Sequence, residues 1–105
     1  MAHERSNQPT LGLTPEEQRS IKAAAARLPC GWRIALETTE NQETYARVVP
    51  PWNPNKSAFL IDREYHGVIL TDNITDELQP AQRVVCNVGD AVDRIAAVVS
   101  GILFF

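Results

Sequence analysis

The spacing of apolar side chains changes period several times along this chain, and each change marks an element. Ile21, Ala24, Ala25 and Leu28 recur at helical spacing, a narrow, alanine-rich stripe that permits close approach to a sheet or to another helix. Ahead of the stripe, Thr14-Pro15-Glu16-Glu17 reads as a helix start. It supplies a capping hydroxyl, a proline at the first helical position and a glutamate three residues after the cap to complete a capping box. The predicted helix runs to about Leu28, where Pro29 and Gly31 end it. From Trp32 the period falls to two: Trp32, Ile34 and Leu36 alternate with Arg33, Ala35 and Glu37, the pattern of a strand with one buried face. Glu40-Asn41-Gln42 makes a polar turn, and Thr44 to Val49 is rich in β-formers, so these two runs predict a hairpin.

Further on, Ala58-Phe59-Leu60-Ile61 and Val68-Ile69-Leu70 are continuous apolar runs separated by Asp62 to Gly67. They predict a second hairpin whose strands are central and covered on both faces. Thr71 to Pro80 is polar, with Asn73 or Thr75 as candidate caps for a short turn of helix. Residues 83–88 fit a fifth strand or the beginning of a long final helix. The β-branched Val84, Val85 and Val88, with Gly89-Asp90 as a break and cap, favour the strand. The final helix is then expected from about Asp90 to Leu103, with Val92, Ile95, Ala96, Val99, Ile102 and Leu103 on one face. The order is α-β-β-β-β-(β)-α: an α+β domain with a mostly antiparallel, four- to five-stranded sheet flanked by N-terminal and C-terminal helices.

A chain of 105 residues with 44% hydrophobic and 22% charged residues is large enough for one domain with its own core, without disulfide or metal staples. The expected organisation is a flexible arm over residues 1–12 and a single domain over 13–105. Residues 1–33 carry five cations against three anions, and residues 34–105 five against ten. Such a mildly acidic chain offers no electrostatic footprint for a phosphate backbone, and no nucleic-acid partner is expected. Arg19, Lys22 and Arg27 line one edge of the first helix behind Glu16 and Glu17, charges ordered as the helix dipole prefers them. Met1 to Thr10 lacks the apolar core of a secretion signal, and Ile95 to Phe105 is shorter than the roughly 20 residues needed to cross a bilayer. The expectation is a cytoplasmic protein, without a membrane partner, that keeps Cys30 and Cys86 reduced.

Candidate chemistry is sparse. Asp62, Glu64 and His66 would share one face of an extended segment, two carboxylates and an imidazole being a familiar ligand or acid–base set. A tight turn closed by His66-Gly67 would scatter them into solvent instead, and that reading is adopted. Cys86, between Val85 and Asn87, reads as a small buried hydrophobe, whereas Cys30, between Pro29 and Gly31, reads as accessible. Neither stands in a hydrolase motif, Ser20, Ser57 and Ser100 occupy no nucleophile elbow, and the five glycines form no phosphate loop. No catalytic residue, metal or cofactor is expected.

Two features point towards partners. Pro50-Pro51-Trp52-Asn53-Pro54-Asn55 holds one of the two tryptophans in a loop stiffened by three prolines, which is neither helix nor central strand. A ring so placed loses little entropy when a partner docks on it, although the same ring also suits a lid over its own core. Phe104 and Phe105 close the chain and require cover, from the protein's own core or from a second copy. The expected function is therefore a small non-enzymatic interaction module, homodimeric, that binds a protein or peptide through Trp52, Pro51, Asn53, Phe104 and Phe105. The alternative is a small-ligand domain or minor enzyme with a pocket between sheet and helices, Trp52 as its lid and Tyr65 and His66 at its rim.

Overall fold

A computed structural model of the chain describes residues 11–74 and 79–103. Residues 1–10, Thr75 and the terminal Phe104 and Phe105, on which several of the expectations above fall, lie outside the described residues. The architecture is the expected α+β fold: α1 (Pro15–Ala24), continued by a 3-10 turn (Ala25–Arg27), then β1 (Arg33–Thr38), β2 (Thr44–Val49), β3 (Phe59–Glu64), β4 (Gly67–Asp72), β5 (Ala81–Val85) and α2 (Val88–Leu103). The five strands form one antiparallel meander in sequence order, which leaves β1 and β5 as its edges. Among the described residues, no helix is long and apolar enough to cross a membrane.

Strand alternation assigns the two faces. Ile34 pairs with Val48, Val48 with Phe59, Ile61 with Leu70 and Val68 with Val85. These side chains meet Ile21 and Ala24 of α1 and Ala91, Val92, Ile95 and Val99 of α2 in one core. Both helices thus cover the same face. The opposite face carries Ala35, Glu37, Tyr45, Arg47, Leu60, Asp62, Ile69, Thr71, Gln82 and Val84, none of which belongs to that core. This corrects the expectation that the apolar runs of β3 and β4 are covered on both sides. Leu60 and Ile69 are only partly buried, and Val84 is 58% exposed. An unbroken apolar run also arises when aliphatic residues occupy the open side of an antiparallel sheet, which tolerates solvent on one face.

The local signals at α1 act as the sequence predicts. The Thr14 hydroxyl accepts from the Glu17 N–H at 3.1 Å while the Glu17 carboxylate accepts from the Thr14 N–H at 2.9 Å. The same carboxylate accepts from Arg63 Nε on β3 at 2.9 and 3.0 Å and is also bonded to Arg63 Nη2. One side chain therefore caps a helix and clamps it to the sheet. The Arg63 guanidinium holds the Glu17 carboxyl below its ordinary value against the opposing effect of burial, and the Arg63 pKa is raised by the same bond. Just before the cap, Gly12 is buried, with its N–H donating to the Arg63 carbonyl at 2.8 Å.

At the other helix the sequence reading needs moving by two residues. β5 ends at Val85 and α2 begins at Val88, inside the segment assigned to the fifth strand. The cap is Asn87, whose Oδ1 accepts from the Asp90 N–H at 2.8 Å, and Asp90 Oδ2 accepts in return from the Cys86 N–H at 3.1 Å. Asparagine caps as well as aspartate does, and a reciprocal acid in the first turn completes the device. Cys86, expected in the interior, is exposed in this connection, as is Cys30.

Candidate functional site

The β2–β3 connection is built from two successive tight turns. The Asn53 N–H donates to the Pro50 carbonyl at 3.4 Å, and the Lys56 N–H to the Asn53 carbonyl at 3.2 Å. The Asn53 side chain accepts from the Asn55 N–H at 3.0 Å, the short-range bond that makes asparagine a turn residue. Pro50 is fully buried and roots the loop, whereas Pro51, Trp52, Asn53 and Pro54 are exposed. Gly31 explains how the loop seats itself. Its φ is +93°, and a Cβ there would stand 2.8 Å from Pro51 Cβ, so only glycine admits both the backbone and the approaching ring.

Trp52 is neither buried nor free. Its ring meets Trp32 edge to face, centroids 5.3 Å apart at 89°, and Trp32 in turn lies 6.4 Å from Phe59 in the core. The T-shaped arrangement is favourable for two aromatic quadrupoles. Trp32 is 7% exposed and Trp52 57%. Trp52 thus packs against Trp32 and presents more than half of its own surface to solvent, on a loop built from two tight turns.

A groove of about 320 Å³ opens between the sheet and α2, floored by Phe59 and Leu70 and walled by Ala97 and Val98, with Asp72, Ala81, Arg83 and Arg94 around it. Tyr65 and His66, proposed for the rim of such a pocket, do not line it. They form the exposed tip of the β3–β4 hairpin beyond the Glu64–Gly67 pair, whereas the groove reaches the Asp72–Ala81 pair at the other end of β4. Trp52 does not line it either. The structure therefore separates the members of the pocket reading.

At the hairpin tip, Asp62 points to the open face, and Glu64 and His66 are exposed. Among the described residues, no group of three His, Cys, Asp or Glu side chains converges as a metal site. Burial, with Glu64 and Glu43 nearby, pushes the Asp62 carboxyl above its ordinary value despite the bond it accepts from the Arg63 N–H. Elsewhere on the open face, Arg47 donates to Glu37 at 2.7 Å and to Ser57 at 2.8 Å, and the Tyr45 hydroxyl donates to Glu37 at 3.4 Å. This network braces β1 and β2 behind the Trp52 loop. Sequence reasoning missed Arg83 and Arg94, which line one groove only because a helix and a strand pack together, an arrangement that leaves no local signature. No protein-family model, curated protein or solved structure matches the chain.

Proposed function

We propose that this protein is a non-enzymatic interaction module that binds a protein or peptide partner at the Trp52 loop, with Pro51 and Asn53 beside the ring. The observation that carries this reading is the 57% exposure of a tryptophan held on preformed turns and braced against a buried aromatic. Large rigid aromatics concentrate binding energy at interfaces, and a loop ordered before contact avoids the entropic cost of ordering on contact. The proposed second copy, which was to cover Phe104 and Phe105, stays outside what supports this reading.

The test is a selection from a displayed peptide library on the immobilised wild-type protein, with soluble Trp52→Ala protein as competitor. Peptides that survive the competitor and lose about tenfold or more in affinity for Trp52→Ala, the scale of a hot-spot residue, support the module. Peptides indifferent to Trp52→Ala refute a docking role for this loop.

A further inference from the structure

We infer that the partner is an extended, acid-bearing peptide segment that adds to β5 as a sixth strand and lays an apolar side chain in the groove beside it. The inference rests on the reading of the protein as an interaction module and names the chemistry of its partner. β5 is an edge strand whose Ala81, Gln82, Arg83 and Val84 are exposed, and among the described residues no strand pairs with its outer side, which therefore offers a row of backbone donors and acceptors. Edges of this kind bind extended chains by main-chain hydrogen bonds, with specificity set by pockets for alternate side chains. Here the pocket is the groove between β4, β5 and α2, apolar at Phe59, Leu70, Ala97 and Val98.

Charge selects the occupant. Arg83 lies on the helix-covered face of β5 opposite Leu70, and Arg94 reaches the same groove from α2. Arg94 is bonded to Asp90 at 3.3 Å, but Arg83 has no ion-pair partner among the described residues. A guanidinium with unused donors at an apolar groove recognises a carboxylate by paired hydrogen bonds. The groove's own acid, Asp72, stands one pair further along, opposite Ala81, where its Oδ1 accepts from the Ile74 N–H. The peptide's acid therefore belongs at the Arg83 end. A second copy suits the edge less well, because its β5, Ala81–Val85, carries no acid and would bring another Arg83.

The test uses an array of short synthetic peptides, each an alternating Thr-Val strand with one Leu and with one Glu, one Lys or neither. Wild-type protein is expected to hold the Glu peptides at least about tenfold more tightly than the Lys peptides. Arg83→Glu should invert that preference, and Ala97→Trp, which fills the groove, should abolish binding of both. Both positions are exposed, so denaturation midpoints near wild type confirm that either loss is local. Equal retention of Glu and Lys peptides, no peptide held at all, or binding unchanged in Arg83→Glu or in Ala97→Trp would each overturn the inference. So would a wild-type dimer that Arg83→Glu dissociates, since a second copy would then occupy the edge. Peptides lost by Trp52→Ala but not by Arg83→Glu would sink this inference and leave the Trp52 reading standing. The reverse pattern would uphold the β5 site and refute the Trp52 loop as a docking site.

Discussion

Trp32 and Trp52 touch each other, yet they belong to different parts of the protein's chemistry. Trp32 enters the sheet just before β1, contacts Phe59 and is sealed at 7% exposure, whereas Trp52 rides a loop between β2 and β3 and leaves 57% of its surface open. Their contact is shared, but its effect is not. For Trp32 the contact completes a core whose other members come from both helices and from β2 to β5, with Ile34 and Leu36 of β1 packed against it. For Trp52 it fixes the direction of a ring whose remaining surface faces water. The difference teaches that a single aromatic pair can close a core from one side and present a binding surface from the other.

The comparison breaks most visibly at Trp32. Replacing Trp32 by Ala empties a buried aromatic site and should cost about 3–5 kcal/mol, read as a large drop in the denaturant midpoint. A loss below about 1 kcal/mol would mean that the core does not depend on this ring. Next in size is a change that leaves both indoles in place. Gly31→Ala should destabilise by about 1–3 kcal/mol, because an L-residue is strained at φ +93° and its Cβ would meet Pro51. If the seat of the loop matters, this variant should also weaken selected peptides, and unchanged affinity would separate loop geometry from docking.

Glu17 provides a control at the far end of the sheet. Its carboxyl is held below the ordinary 4.5, so its contribution is present above that pH and is lost as pH falls through the lower, folded-state value. Glu17→Gln should therefore cost about 1–2 kcal/mol at neutral pH and should flatten the acid limb of the stability profile, without altering peptide binding. A steep acid limb that survives Glu17→Gln would assign that limb to other carboxylates. The smallest expected effect lies on the open face. Asp62 is raised above its ordinary value mainly by burial, so its ionised form weakens the fold and acidification relieves it. Asp62→Asn should therefore be neutral or stabilising, within about 0.5 kcal/mol at neutral pH; a clear loss of stability would show that its bond to the Arg63 N–H outweighs the burial.

What the sequence made legible was local. The capping box at Thr14 and Glu17, the period of two from Trp32, the polar turn at Glu40 to Gln42 and the proline-stiffened loop each depend on residues a few positions apart. A mostly antiparallel sheet of four to five strands followed from such signals, with the fifth strand left open against an early start of the final helix, a choice that the observed β5 and α2 settle. The covering of the sheet did not, because Leu60 and Ile69 read alike whether a second layer or water lies against them. Nor did the start of α2, where a run of valines resembled a strand and concealed the asparagine cap at Asn87. The clamp between Glu17 and Arg63, the edge-to-face contact of Trp32 with Trp52 and the groove that Arg83 and Arg94 both line join residues that are not neighbours in sequence. Such contacts emerge only once helices and sheet are packed. The loop at Trp52 was singled out from its composition alone, but whether it was lid or surface turned on an exposure that no local pattern encodes.

The most direct measurement is chemical denaturation of Trp52→Ala beside peptide affinity for the same variant. A partly exposed ring that makes one edge-to-face contact should cost about 0.5–1.5 kcal/mol of stability while its removal weakens selected peptides about tenfold or more. A stability loss as large as that of Trp32→Ala, with peptide affinity unchanged, would show Trp52 to be a lid on the core and would contradict the account.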